Sequence, residues 1–525
     1  MSQRWFRRPW FWLIVLVACQ YAVLQLLTNA QYFDAPRNMQ WGLFVLEQPR
    51  FLLDTENTYD RINGFAPNPR ELAPAGMANG RSTPLHPWWG PVYLGLFALT
   101  WGLTHSFTLL RLVVPLAAGA TVIMTYLFGR RFFSERIGVT AALLLAFFPN
   151  FREMGTIAMV EPISALLLLG ALWAFLEGRA WVAALLGLLA ALGKVDMIAI
   201  YLGMVGLMAV GAWWDSRNSA SGQRLPHLRM WLVALLVPLL IIGPWLIVIY
   251  GVYGRPTTAG GGPQIEVFTA MLPLMIQQIF TIEQSLTLVG LIIIFGLAIT
   301  ALVRWRRTNR QVVRALGCLL LLGLVVVFGY MTLPGSSNNP RVFIPALPAL
   351  FLLVALGLAL VGRRTQIYGL ALVLILYLCG NISGVLYQII EGRVDSGLQP
   401  VWAVLRYEPP GVVLTEHYWD AALYARQPTT WFENDATFQQ NILQHEANFQ
   451  DYLKQAPIRY IVLPQADSEY AALQHDPLVQ LYAQLPFGRA LNWEPGQLVA
   501  PEVRDYLNVS FPKRAIGAYD VYTIR

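Results

Sequence analysis

The chain has 525 residues, 56% of them hydrophobic and only 13% charged, with a formal net charge of +7 and a mean hydropathy of +0.49. A soluble globular chain carries roughly 25% charged residues, so this composition excludes an ordinary soluble domain. The positive charge does not point to nucleic acid, because the arginines gather in short loops between apolar runs, where membrane topology accounts for them.

The first apolar run, 10–28, follows Arg4, Arg7 and Arg8 and is not closed by a small-residue cleavage site. It reads as an uncleaved anchor. Further runs follow at 107–129, 137–149, 157–176, 180–193, 195–214, 230–250, 284–303, 315–333, 342–361 and 366–389, which predicts a mainly α, polytopic membrane bundle of about eleven spans. The arginine-bearing loops at 129–136, 176–179, 214–229, 304–314 and 362–366 share one side with the N-terminus. The positive-inside rule makes that side cytoplasmic and puts the C-terminal region outside. The expected location is therefore the cytoplasmic (inner or plasma) membrane. Cys19, Cys318 and Cys379 lie in apolar runs without metal or disulfide spacing and read as small core residues.

Between the first two spans lies a long external loop, 29–106, rich in Pro and Gly around 63–91. Its segment 87–103 is apolar. Counting it as a span would put 129–136 outside and scramble the later loops, so it reads as an interfacial or partly inserted helix, with a true span and a charge exception as the alternative. After residue 390 hydropathy drops. Strands are expected at 411–416, 428–432 and 460–465, and helices at 420–426, 436–445 and 448–455, which predicts a small external α/β domain over 391–525 beside a membrane domain over 1–390. AGGGP at 259–263 lacks the strand-to-helix context of a phosphate loop and reads as a hinge.

With this topology, Asp34, Arg37, His86, Glu161, Lys194 and Arg341 all fall at helix ends on the non-cytoplasmic side. Ionisable groups in such surroundings mark functional sites. Asp34 can serve as a general base or as a solvated loop acid. Arg37 can hold a phosphate with paired donors or snorkel to the interface. Glu161 opens a span ahead of Pro162, where an unpaired acid is costly. Lys194 closes an apolar helix, either complementing its dipole or binding an anion. Arg341 enters the span at 342–361 as a phosphate ligand or an interface anchor. His86 either contacts phosphate or caps the interfacial segment. Glu416 and His417 in the tail lack metal spacing and read as surface residues. No metal ligand set is expected.

These residues and their order resemble the membrane-embedded GT-C glycosyltransferases, especially the branch of the aminoarabinose transferases and protein O-mannosyltransferases. Asp34 matches the leading acid of that family, Arg37 its Arg three positions on, and Ala35 stands where the family has a second acid. His86-Pro87 replaces its Lys-Pro; Glu161-Pro162 resembles its Asp-Pro; Gly193-Lys194-Val195 resembles its Thr-Lys-Gly; and PRVFIPALPAL, 340–350, resembles its Arg-aromatic-Pro entrance. The resemblance implies an inverting transfer of a sugar from a polyprenyl-phosphate donor to an acceptor hydroxyl of a glycan, lipid or protein. In it Asp34 is the base, and Arg37, His86, Lys194 and Arg341 bind the donor phosphate. Glu161 orients the acceptor or Arg37, or shares the base role. Whether a divalent metal takes part is left open by Ala35. A transporter or flippase of lipid-linked saccharides is the rival reading. It calls for internal repeats or paired half-helices, and the sequence has neither. A third reading, an assembly protein whose external tail binds a partner, leaves the embedded charges unexplained.

Overall fold

The structure is a computed structural model. It describes residues 9–28, 35, 39, 42–43, 46, 90–157, 159–194, 196–217, 228–253, 284–304, 310–331, 340–361, 363–394, 400–415, 420–427, 429–430, 443–455, 458–465, 476–484 and 499–524. The chain divides into two compact units. One comprises Met1–Gln25, Leu85–Leu96 and Phe107–Gly384; the other comprises Leu26–Pro84, Phe97–Ser106 and Val385–Arg525.

The first unit is helical. Its described elements are α1 (Pro9–Thr28), α2 (Pro91–Thr104, shared with the second unit), α3 (Phe107–Phe132), α4 (Glu135–Phe147), α5 (Pro149–Thr156), α6 (Glu161–Leu176), α7 (Ala180–Gly193), α8 (Asp196–Arg217), α9 (Leu228–Tyr253), α10 (Gln284–Arg304), α11 (Arg310–Met331), a 3-10 turn (Pro340–Ala346), α12 (Leu347–Leu360) and most of α13 (Arg363–Val394). Among the described residues, every segment expected to span is helical over most of its length. Six helices among the described residues are long and apolar enough to cross a membrane, or seven if α4 and α5 form one broken span. Several carry apolar side chains outward, such as Leu16, Leu116, Leu240 and Ile247. In water such a surface would be a liability; against lipid it is the expected one. Cys19 is on this outer surface, not in the core. Helix α1 packs Ile14, Ala18 and Tyr21 inward and leaves its other face, with Cys19, outward.

Two expected boundaries are corrected. The run at 137–149 ends at Phe147, and the chain bends by 66° into α5. Pro149 at the first position of α5 lacks the amide needed to continue α4. The next span then starts at Glu161, not at 157. The segment at 87–103 is helical from Pro91 to Thr104. Its 14 residues rise about 21 Å, short of the ~30 Å hydrocarbon core.

In the second unit, β1 (Val412–Leu414), β2 (Thr429–Thr430), β3 (Ile458–Pro464), β4 (Lys513–Ile516) and β5 (Tyr519–Thr523) form one sheet of order β2-β1-β3-β5-β4. The first three strands are parallel, and β5 runs antiparallel to both β3 and β4. Helix α14 (Pro400–Leu405) sets Trp402 on Tyr519. On a core that includes Leu414, Leu463 and Tyr522 lie α15 (Glu446–Gln455) and α17 (Pro501–Ser510), while α16 (Pro477–Gln484) packs Val479 and Tyr482 on Ile390. The expected small α/β fold is therefore present. The segment 420–426 is a short π-helical turn at Ala421–Ala425. Residues 436–442 of the helix expected at 436–445 lie outside the described residues, and so do Glu416 and His417. The β4–β5 hairpin was not expected. Its two-residue loop begins with Gly517 at φ +61°, a turn signal that Lys513 and Arg514 obscure in the hydropathy.

Candidate active site

The site is built by an antiparallel helix pair of matched length. Helix α6 starts at Glu161 and runs 16 residues. It stops at Gly178, whose φ of +76° allows the bonds from Gly178 N to Phe175 O and from Arg179 N to Ala174 O. This left-handed cap turns the chain back. Helix α7 then returns 14 residues to Gly193. Lys194, at its C-cap, arrives beside Glu161.

Lys194 Nζ donates to Glu161 Oε1 at 3.0 Å and lies 3.3 Å from Asp196 Oδ2. Arg341, carried in by the 3-10 turn, brings Nε to 3.6 Å from the same Glu161 oxygen, and its Nη1 donates to Met159 Sδ at 3.8 Å. Glu161, Lys194 and Asp196 are buried; the Arg341 side chain is 19% exposed. The cluster pairs two carboxylates with two cations. Among the described residues, Glu161 Oε2 and both Asp196 carboxylate oxygens accept no hydrogen bond.

The cluster lies deep. Thr121, the middle of α3, donates through Oγ1 to Pro162 O at 3.2 Å. On the Glu161 side of Thr121, α3 still faces outward with Leu109 and Leu116. From Leu109 to Thr121 the helix rises about 18 Å, so apolar helix surface continues past the start of α6. At the far end of α6, Arg131 Nε donates to Glu177 Oε1 at 2.6 Å. The buried quartet and the arginine-rich loops thus occupy opposite ends of a helix about 24 Å long.

Two neighbouring features shape the site. Gly90 N donates to Gly193 O at 3.0 Å, and a Cβ on Gly90 would sit 1.6 Å from Leu192 O. Only glycine lets the backbone entering α2 touch the helix end that carries Lys194. Helix α5 holds the buried Arg152 and Glu153. The bend before it is braced from α1 and α13. Gln20 Nε2 and Tyr21 OH donate to Ala146 O at 3.0 and 3.1 Å, and Asn381 Nδ2 donates to Phe147 O at 2.7 Å. These donors serve carbonyls whose helical partners the bend turns away. Gly384 makes room for Arg152, whose Nη2 would lie 2.3 Å from a Cβ there.

Of the expected site residues, Glu161, Lys194 and Arg341 come together. Asp34, Arg37 and His86 lie outside the described residues, while Ala35 is buried. Sequence reasoning passed over Asp196, Arg152 and Glu153. Each was visible as a charge beside an apolar run. Among the described residues, no group of three or more His, Cys, Asp or Glu side chains is arranged to hold a metal.

No family model matches the chain, and no curated protein does. Solved structures do. The crystal structure of ArnT from Cupriavidus metallidurans bound to undecaprenyl phosphate covers 98% of this chain and 97% of its own, with TM-score 0.58 and 13% identity. Its apo state matches over the same shares with TM-score 0.58 and 14% identity. This chain has the GT-C fold. The match to the apo Archaeoglobus fulgidus oligosaccharyltransferase covers 88% of this chain and 70% of that one, with TM-score 0.43 and 12% identity. Within the GT-C fold described here, the quartet stands at the start of α6, the end of α7 and the turn before α12.

Proposed function

We propose that this protein is an inverting glycosyltransferase that moves a sugar from a polyprenyl-phosphate donor to an acceptor hydroxyl at the non-cytoplasmic face of a membrane. The observation that carries the reading is the Glu161–Lys194–Asp196–Arg341 quartet, with its first three members buried in a bundle of apolar helices. A bundle that only anchors a tail has no need to gather four ionisable groups among apolar helices and bury three of them. The fold adds support, since ArnT shares it over nearly its whole length and was captured with undecaprenyl phosphate. The arginine loops at the opposite end of α6 support a cytoplasmic N-terminus and an external site.

In this reading the prenyl tail lies in lipid and the phosphate meets the cations from the side. Arg341, the more exposed cation of the quartet, is the principal phosphate ligand, and Arg37 and His86 are further phosphate ligands. Lys194 adds its charge while held by two carboxylates. Asp34 takes the proton of the acceptor hydroxyl. The hydroxyl oxygen attacks the anomeric carbon, and the bond from that carbon to the phosphate oxygen breaks. Single displacement inverts the centre. The leaving polyprenyl phosphate is a stable anion whose growing charge the cations offset. Glu161 orients Arg341 and Lys194. The sugar and the acceptor class, whether glycan, lipid or protein, follow from contacts outside this quartet's phosphate-facing side.

The test is transfer of radiolabelled sugar from a panel of polyprenyl-phosphate sugars to native membranes. Asp34→Asn is expected to insert normally and lose transfer. Full transfer by that variant removes Asp34 as the base.

A further inference from the structure

We infer that Asp196, together with the second oxygen of Glu161, recognises the hydroxyl groups of the donor sugar; this rests on the donor reading above. Three carboxylate oxygens at the quartet, Glu161 Oε2 and both of Asp196, accept no hydrogen bond among the described residues although their residues are buried. A carboxylate is acceptor-only, with about four lone-pair positions to fill. Leaving buried acceptors unfilled is costly. Lys194 does not fill them. Lys194 donates to Glu161 Oε1, and its contact with Asp196 Oδ2 is an ion pair at 3.3 Å.

A ligand that fills these acceptors brings several O–H or N–H donors to this point. Of the three parts of a polyprenyl-phosphate sugar, the prenyl chain has none. The phosphate is an acceptor and shares the carboxylates' charge. Only the sugar carries donors, and its hydroxyls are spaced to bridge two carboxylates flanking one ammonium. The geometry also divides the labour. Lys194 stands between the acids, and Arg341 approaches Glu161 through its other oxygen, Oε1. The phosphate-facing charge and the hydroxyl-facing acceptors are therefore on separate atoms of the same cluster. Asp196 begins α8, the helix that follows Lys194 after one residue, so its position is fixed by the same chain reversal that fixes Lys194.

The experiment compares binding of undecaprenyl phosphate with binding of undecaprenyl-phosphate pentose, hexose, N-acetylhexosamine and aminopentose to the full-length protein in nanodiscs. In wild type, at least one sugar is expected to tighten binding over the bare lipid phosphate. Asp196→Asn is expected to lower that increment at least tenfold, and to lower the affinity for undecaprenyl phosphate itself by a clearly smaller factor, the part that comes from a less firmly held Lys194. Asp196→Glu, which keeps the charge and moves the oxygens, is expected to change which sugar binds best. Retained undecaprenyl phosphate binding certifies the fold of each variant. The inference is overturned if no sugar adds affinity in wild type, if the increment survives Asp196→Asn, or if both affinities fall by the same factor. Loss of the wild-type increment on chelating divalent cations also overturns it, since the acceptors would then belong to a cation. Failure of wild type to bind any of the lipid phosphates counts instead against the donor reading.

Discussion

Lys194 Nζ lies 3.0 Å from Glu161 Oε1, across 33 residues of chain. The contact follows from two apolar helices of 16 and 14 residues joined by a left-handed glycine cap. Shortening either helix by a residue would rotate its terminal charge by about 100° and lift it by 1.5 Å. The pair is therefore a readout of helix length as well as of charge.

Removing one member of this quartet should cost more than removing several. Lys194→Met takes from the buried Glu161 and Asp196 the cation they share, and breaking a buried pair costs about 3–5 kcal/mol. The triple variant Glu161→Gln, Asp196→Asn, Lys194→Met removes the uncompensated charges and should regain much of that stability without regaining transfer. Thermal unfolding in detergent, run beside the transfer assay, checks both halves.

Arg341 should not be replaceable by lysine. Its Nε faces Glu161 while Nη1 reaches Met159, so one guanidinium makes two contacts in different directions. A single ammonium cannot reproduce them. Arg341→Lys is expected to weaken undecaprenyl phosphate binding about tenfold or more, within the ~1.5–3 kcal/mol of a charge-assisted bond. Arg341→Lys binding as tightly as wild type would remove the guanidinium from the phosphate site.

Two glycines five residues apart should respond in opposite ways. Gly90→Ala places a methyl 1.6 Å from the Leu192 carbonyl, a backbone atom that cannot yield without moving the end of α7. Loss of transfer and a large drop in melting temperature are expected. Gly95, inside α2, has nothing within 4 Å of its added Cβ. Gly95→Ala should be neutral or stabilise by about 0.5–1 kcal/mol. Equal behaviour of the two variants would contradict the close approach at Gly90.

In the second unit, Gly517→Val should open the β4–β5 hairpin, since a β-branched residue at φ +61° is strained. A destabilisation of about 1–3 kcal/mol is expected, read as earlier proteolysis after residue 500 with the membrane unit intact.

Much of this fold is legible in the sequence because lipid imposes a simple rule. Backbone groups must pair within each segment, so long apolar runs become helices. Glu161, Lys194 and Arg341 were legible for the same reason: each is a charge where charge is expensive. Asp196 was harder to see, because a carboxylate in the first turn of a helix has an ordinary dipole explanation. Arg152 and Glu153 fall in the polar stretch after Pro149, which reads as a loop in sequence; the packing of α1 and α13 makes it a buried helix. The depth of the site was not legible either. It depends on Thr121 meeting Pro162 halfway along α3, a tertiary register that hydropathy does not encode. In the tail, β4 and β5 escaped because Lys513 and Arg514 stand on an exposed edge strand, where charge guards against further pairing.

The most direct measurement follows both products in one vessel: purified protein, native membranes and undecaprenyl-phosphate sugar labelled in the sugar. The account predicts label on an acceptor with one equivalent of undecaprenyl phosphate released, and loss of both in Asp34→Asn and in Glu161→Gln. Donor that crosses the bilayer with its sugar–phosphate bond intact, in wild type and with no label transferred, would contradict it and make the quartet part of a transport path.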